Sequence, residues 1–80
     1  MSESIQEIIG LLQEISEDEC ASNGVRERIL KSLNTMYEET DQSIKANKVL
    51  NELEELLEHS GLDTCIRTQI WSVTSLLETL

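Results

Sequence analysis

Residues 8–17 read IIGLLQEISE, and residues 49–58 read VLNELEELLE. Laid over one another at a shift of 41 positions, they place Ile8 on Val49, Ile9 on Leu50, Leu12 on Leu53 and Ile15 on Leu56. Glu14 meets Glu55 and Glu17 meets Glu58. In each segment the apolar residues return at spacings of three and four, the period of a helix with one buried stripe. The same shift continues without a gap: Val25-Arg26 falls on Ile66-Arg67, Ile29 on Ile70 and Met36 on Leu77. The chain therefore reads as two helical hairpins, at about 4–37 and 41–80, within a single domain spanning 1–80.

The spacing predicts a first helix from about Ser4 to Ser16, burying Ile5, Ile8, Ile9, Leu12 and Ile15, with Ser4 and Glu7 at capping-box spacing. Ser22 and Asn23 suit the cap of a second helix, about Gly24 to Tyr37. It carries two stripes, one of Val25, Ile29 and Met36 and one of Leu30, Leu33 and Tyr37. Thr40 or Asp41 opens a third helix that runs to about His59 and buries Val49, Leu50, Leu53, Leu56 and Leu57. Gly61 suits the left-handed position that follows a helix end. Asp63 or Thr64 caps a fourth helix, with Ile66, Ile70, Val73, Leu77 and Leu80 toward the core. Loops this short make consecutive helices antiparallel neighbours.

Helical-hairpin repeats of about 40–47 residues are the range of HEAT and armadillo arrays, and the apolar-Arg pair opening each second helix resembles the HEAT pattern. Any two amphipathic hairpins of equal length would also align their apolar positions, so the shift admits a true repeat or a shared period. The fold class expected is all-α: four antiparallel helices as two HEAT-like hairpins in a compact bundle. The last hairpin of such a stack has no successor, and its outer flank stays uncovered and mostly polar. Trp71 interrupts that flank, about 140° around the helix from Ile66.

Arg67-Thr68-Gln69-Ile70-Trp71-Ser72, followed by Ser75, Leu76, Leu77 and Glu78, resembles the closing segment of a family of small archaeal all-helical proteins with no established activity. Members carry Pro and Asp-Pro turns before their second and fourth helices, where this chain has Cys20–Gly24 and Ser60–Thr64. The resemblance implies a fold and an archaeal cytoplasm, and implies no function.

The chemistry available is thin. There is one His, and Gly10, Gly24 and Gly61 are isolated, so no imidazole pair and no phosphate-cradling loop can form. No serine sits in a nucleophile-elbow context. Glu52, Glu54, Glu55 and Glu58 read as a solvated helix face, and Glu58 next to His59 lacks the Glu-x-x-His spacing of a carboxylate-bridged metal site. No catalytic residue, cofactor or metal ligand set is expected, and the protein reads as a non-enzyme. Cys20 and Cys65 both fall in or beside turns at one end of the hairpins, with His59 at that end. They are partly buried free thiols or, alternatively, part of a thiol or metal sensor that wants a fourth ligand.

Sixteen Asp or Glu against six Lys or Arg give a formal charge of −10. That repels nucleic acid and anionic membranes and favours partners with basic surfaces. No stretch is apolar enough to span a bilayer or to act as a leader, and two cysteines without one fit a reducing compartment, so a cytoplasmic location is expected. The leading expectation is an adaptor or accessory subunit that binds another protein, or a second copy of itself, through Trp71, Arg67, Thr74, Arg26 and Leu30. Trp71 is equally well accommodated as the edge of the core. An RNA- or ribosome-associated role through Arg26, Arg28, Lys31 and Arg67 is the alternative. Salt bridges to Arg26 or Arg67 are the expected partners of Glu14, Glu17, Glu55 and Glu58, which the helix dipole disfavours near helix ends.

Overall fold

Each of the three turns supplies the oxygen that starts the next helix. Ser22 Oγ accepts from the Val25 amide at 3.3 Å, Asp41 Oδ1 from the Ser43 amide at 3.2 Å and Asp63 Oδ1 from the Cys65 amide at 2.9 Å. The computed structural model describes the backbone of residues 2–58 and 61–80 and the side chains of 5–58 and 61–80. It contains α1 (Ser2–Glu17), α2 (Asn23–Met36), α3 (Gln42–Leu57) and α4 (Thr64–Glu78), with no strand among the described residues.

The ends differ from the sequence reading in detail. α1 starts two residues ahead of Ser4, whose side chain lies outside those described. α3 stops at Leu57, with Glu58 as a right-handed C-cap, and His59 lies outside the described residues. No described glycine has a positive φ, so Gly61 does not supply the left-handed residue expected of it.

α1 packs on α2 and α4, and α3 packs on α2 and α4; the backbones of the diagonal pairs do not approach closely. Four side chains fix the directions. Arg26 reaches the Ser16 carbonyl, Lys45 that of Met36 and Arg67 that of Leu57, while Gln69 reaches the Asp18 carboxylate. Each contact joins the end of one helix to the first turns of a neighbour, so every neighbouring pair runs antiparallel, α1 and α4 included. The helices close into a ring around one core. A HEAT-like stack would instead lay α1 on α3 and α2 on α4; in the ring α1 covers one side of α4, while the flank that carries Trp71 stays open. Two hairpins alone are too few for a stack; turning one over points all four apolar stripes at a common axis, which buries more surface from a short chain.

The 41-residue correspondence survives this rearrangement. It carries the α1–α2 contact onto α3–α4 and the α2–α3 contact onto α4–α1, an approximate two-fold relation. Ile8, Leu12 and Ile15 are buried, and so are Val49, Leu53 and Leu56; Ile29 and Met36 match Ile70 and Leu77. Ser22 and Asp63, the two capping residues, also correspond. The caps as well as the apolar stripes thus match between the two halves. The Cα radius of gyration is 11.6 Å, the value of about 11.6 Å that the scaling for globular domains gives at this length.

Leu80, placed toward the core by periodicity, lies outside, and two residues of the second stripe of α2 are exposed. Leu80 follows the end of α4 and is 37% exposed, while Leu30 and Tyr37 are 46% and 61% exposed. In a ring α2 meets α1 and α3 on one broad side, so of its second stripe only Leu33 turns inward. Val25 is partly buried against the core.

Ser32 is the one buried polar residue among those described, 0% exposed, and its Oγ has no hydrogen-bond partner. It occupies the position that Val73 fills in the other half. An unsatisfied buried hydroxyl costs about 1–3 kcal/mol, so Ser32→Ala is expected to stabilise the fold by about 1 kcal/mol. Urea unfolding followed by circular dichroism checks this; a lower midpoint would show that the hydroxyl is satisfied in solution.

Candidate functional site

The turn between α1 and α2 and the turn leading into α4 meet at one end of the bundle. Each contains an Asp-x-Cys triplet: Asp18-Glu19-Cys20 and Asp63-Thr64-Cys65. In both, the aspartate Oδ1 accepts the backbone N–H of the cysteine two residues on, at 2.8 Å for Asp18 and 2.9 Å for Asp63. This local turn is a preference of Asp, and here it fixes a carboxylate beside a thiol twice over. The ring then sets the two triplets against each other. Ligand atoms of Cys20, Asp63 and Cys65 all lie within 4.8 Å of one another. The three side chains are exposed and the thiols are free.

Gln69, one turn beyond Cys65 on α4, ties the cluster to α1. Its Nε2 donates to Asp18 Oδ2 at 2.8 Å and lies 3.8 Å from Cys65 Sγ. The Cys20 amide, followed by this glutamine, holds the Asp18 carboxyl below the usual carboxylate range. The Asp63 charge, with burial, the Asp18 charge and the Cys65 thiol adding to it, pushes the Cys20 thiol up to about 11. At neutral pH it therefore holds its proton and is a slow nucleophile.

Of the residues expected here, Cys20 and Cys65 do come together, 45 positions apart in the sequence, while His59, expected beside them, lies outside the described residues. Asp63 was legible only as a cap, and Asp18 and Gln69 gave no functional reading. The signal that could have found the aspartates is the twinned Asp-x-Cys triplet, which stands out of register with the 41-residue repeat.

The residues expected to form one interaction surface do not do so. Trp71, Arg67 and Thr74 are on α4, Arg26 and Leu30 on α2, and these two helices are diagonal to each other. Trp71 is 53% exposed and Leu30, its repeat equivalent, 46%. Thr74 Oγ1 is turned back onto the Trp71 carbonyl at 2.9 Å.

The two arginines are not surface anchors but helix terminators. Arg26 donates to the carbonyls of Ser16, Asp18 and Ala21 at 2.7, 3.3 and 3.2 Å, and to Asn23 Oδ1 at 3.1 Å. Arg67 donates to the Leu57 carbonyl at 3.1 Å, the position equivalent to Ser16. Both thus satisfy carbonyls that a helix leaves unpaired at its C-terminus. This overturns the expected salt bridges: among the described residues neither arginine pairs with a carboxylate, and Glu55 pairs with Arg28 at 3.1 Å. Lys45 holds the Met36 and Glu38 carbonyls, and Lys48 pairs with Glu38 at 3.6 Å. Of the six cations only Lys31 has no such bond among the described residues.

Two clefts mark the surface. One of about 340 Å³ lies between Ser22, Gly24, Val25 and Arg28 on one side and Leu56, Gly61 and Leu62 on the other. The second, of about 400 Å³, is bounded by Ser43, Ala46, Asn47 and Leu50 of α3 and Leu77, Glu78 and Leu80. Their titratable side chains are Arg28 in the first and Glu78 in the second, so neither pairs an acid with a base. No described helix is long and apolar enough to cross a membrane.

Comparison with curated proteins gives no match. Among solved structures the chain is similar to one titled "Crystal structure of unknown function protein MMP1188", at 26% identity and a TM-score of 0.92, over 99% of this chain and 91% of that one. The ring of four helices is thus shared with a protein to which no activity is attached. All 80 residues match one family, described as an uncharacterised protein family, UPF0147. With its full length matched, the chain belongs to that family.

Proposed function

We propose that this protein is a non-catalytic binding protein, an accessory subunit that docks a partner of basic surface through the outer face of α4. The observation that carries this reading is Trp71. The core closes without it, yet the one tryptophan of the chain keeps 53% of its surface in solvent, on a protein of charge −10. Tryptophan is the residue most enriched among binding hot spots, and an acidic surround speeds encounter with a basic partner. The RNA-binding reading is less well supported, since five of the six cations are engaged by carbonyls or carboxylates.

The test compares proteins retained from native extract by the wild type and by Trp71→Ala, at low and raised salt. Basic proteins held by the wild type should be lost from the variant, whose helical signal should be unchanged. Loss of a hot-spot tryptophan costs about 2 kcal/mol or more, about 30-fold in Kd. Trp71 fluorescence reports the same event, shifting to the blue as a partner covers it. A variant that retains the same proteins, or a wild type that captures only itself, removes the reading; the second outcome would make the face a contact between two copies.

A further inference from the structure

We propose that Cys20, Cys65 and Asp63 form a binding site for a thiophilic divalent cation of the zinc class, which ties the α1–α2 turn to the start of α4. A tetrahedral zinc ion takes sulfur at about 2.3 Å and carboxylate oxygen at about 2.0–2.2 Å. Its ligand atoms then stand roughly 3.5–3.8 Å from one another. The three atoms here already lie within 4.8 Å, so closing on an ion asks each to move by about an ångström or less.

Donor type sets the class of ion. Two sulfurs and one oxygen suit zinc and disfavour the harder calcium and magnesium, which take oxygen alone. Asp63 can serve as ligand without leaving its helix, because Oδ1 caps α4 through the Cys65 amide and the other oxygen is left for the ion. Asp18 and Gln69 hold the surroundings in place: Asp18 fixes the Cys20 backbone at 2.8 Å, and Gln69 bridges Asp18 and Cys65. Such outer partners orient ligands in known metal sites. The fourth position falls to water. Binding converts two thiols and a carboxylate into two thiolates and a carboxylate on the ion, releasing two protons to solvent, so affinity rises with pH.

A disulfide between the two cysteines has no use for the carboxylate; three convergent donors favour the ion. The test uses the full chain, reduced and free of chelator under exclusion of oxygen, titrated with Co²⁺ as a spectroscopic probe. The expected result is sulfur-to-cobalt charge-transfer absorption together with the intense visible bands of tetrahedral Co²⁺, both bleached by one equivalent of Zn²⁺. Cys20→Ser and Cys65→Ser should each lose charge-transfer intensity. Asp63→Asn, which preserves the helix cap, should keep that absorption and bind about tenfold or more weakly. Trp71→Ala should bind as the wild type does, which separates this site from the α4 face. The proposal is overturned by a reduced wild-type chain without sulfur–cobalt absorption, by Cys→Ser variants that bind unchanged, or by a protein that takes up no ion and forms a Cys20–Cys65 bond in air.

Discussion

Leu53→Ala should remove a large share of the stability of this fold. Leu53 is wholly buried in α3, and its repeat equivalent Leu12 is equally buried in α1. Truncating a core leucine costs about 2.7–5 kcal/mol, by lost transfer energy and by the cavity left behind. A domain of 80 residues has only about 4–12 kcal/mol in total, at about 0.05–0.15 kcal/mol per residue. In a ring the core is one layer of stripes around an axis, so a void at Leu53 is shared by its neighbours on α2 and α4. Leu12→Ala should match it, because the two positions are interchanged by the approximate two-fold. Leu30→Ala, on the half-exposed outer face of α2, is the control and should change stability by about 0.5 kcal/mol or less. Urea unfolding of the three variants, followed at the helical signal, decides the matter. Unequal losses at Leu12 and Leu53 would mean that the halves are packed unlike each other.

The second large effect is expected at Arg26. A sequence reading offers it as a surface cation, and substitution of such a residue would be harmless. The structure gives it four bonds, three of them to carbonyls that end α1 and line the following turn. Hydrogen bonds to charged groups are each worth about 1.5–3 kcal/mol, and orphaned carbonyls add their own cost. Water reaches this end of the bundle and replaces some of them, so Arg26→Met should destabilise by about 2–3 kcal/mol. At about 4–8 °C per kcal/mol for a domain of this size, the melting temperature should fall by roughly 10–20 °C. Arg67→Met, which forfeits one carbonyl bond among the described residues, should lose about 1–1.5 kcal/mol. Thermal melts of the pair test the assignment. A smaller loss at Arg26 than at Arg67, or an equal loss in Arg26→Lys, would remove the terminating role.

Helix existence, the buried stripes and the caps at Asp41 and Asp63 were legible because they are local: they depend on three- and four-residue spacing and on the preferences of Asp in turns. The pairing of helices was not. HEAT-like stacking and the closed ring use the same hairpins and the same stripes, and differ in which faces meet across 41 residues, a choice made by total burial. Arg26 and Arg67 were legible as an equivalent pair but not in role, because a long side chain can reach a carboxylate or a carbonyl ten residues back with equal ease. Ser32 gave no reading in the sequence, because its hydroxyl argues for the surface although it sits on the stripe between Ile29 and Met36. The thiols could be placed at a common end from loop positions alone. That Asp63 joins them required knowing how one turn lies over the other.

The approximate two-fold has a consequence for the history of the chain. A half-length ancestor could have built this same bundle by pairing with a second copy of itself, each supplying one hairpin. Fusion of the two genes would then have released every position from having to work twice. In this chain Cys20, Asp63 and Cys65 stand opposite Gly61, Ser22 and Gly24 in the other half. A symmetric ancestor with these residues would have carried two such clusters, whereas this chain keeps thiols in one and glycines in the other. At the thiol end the two halves therefore differ in chemistry while agreeing in shape.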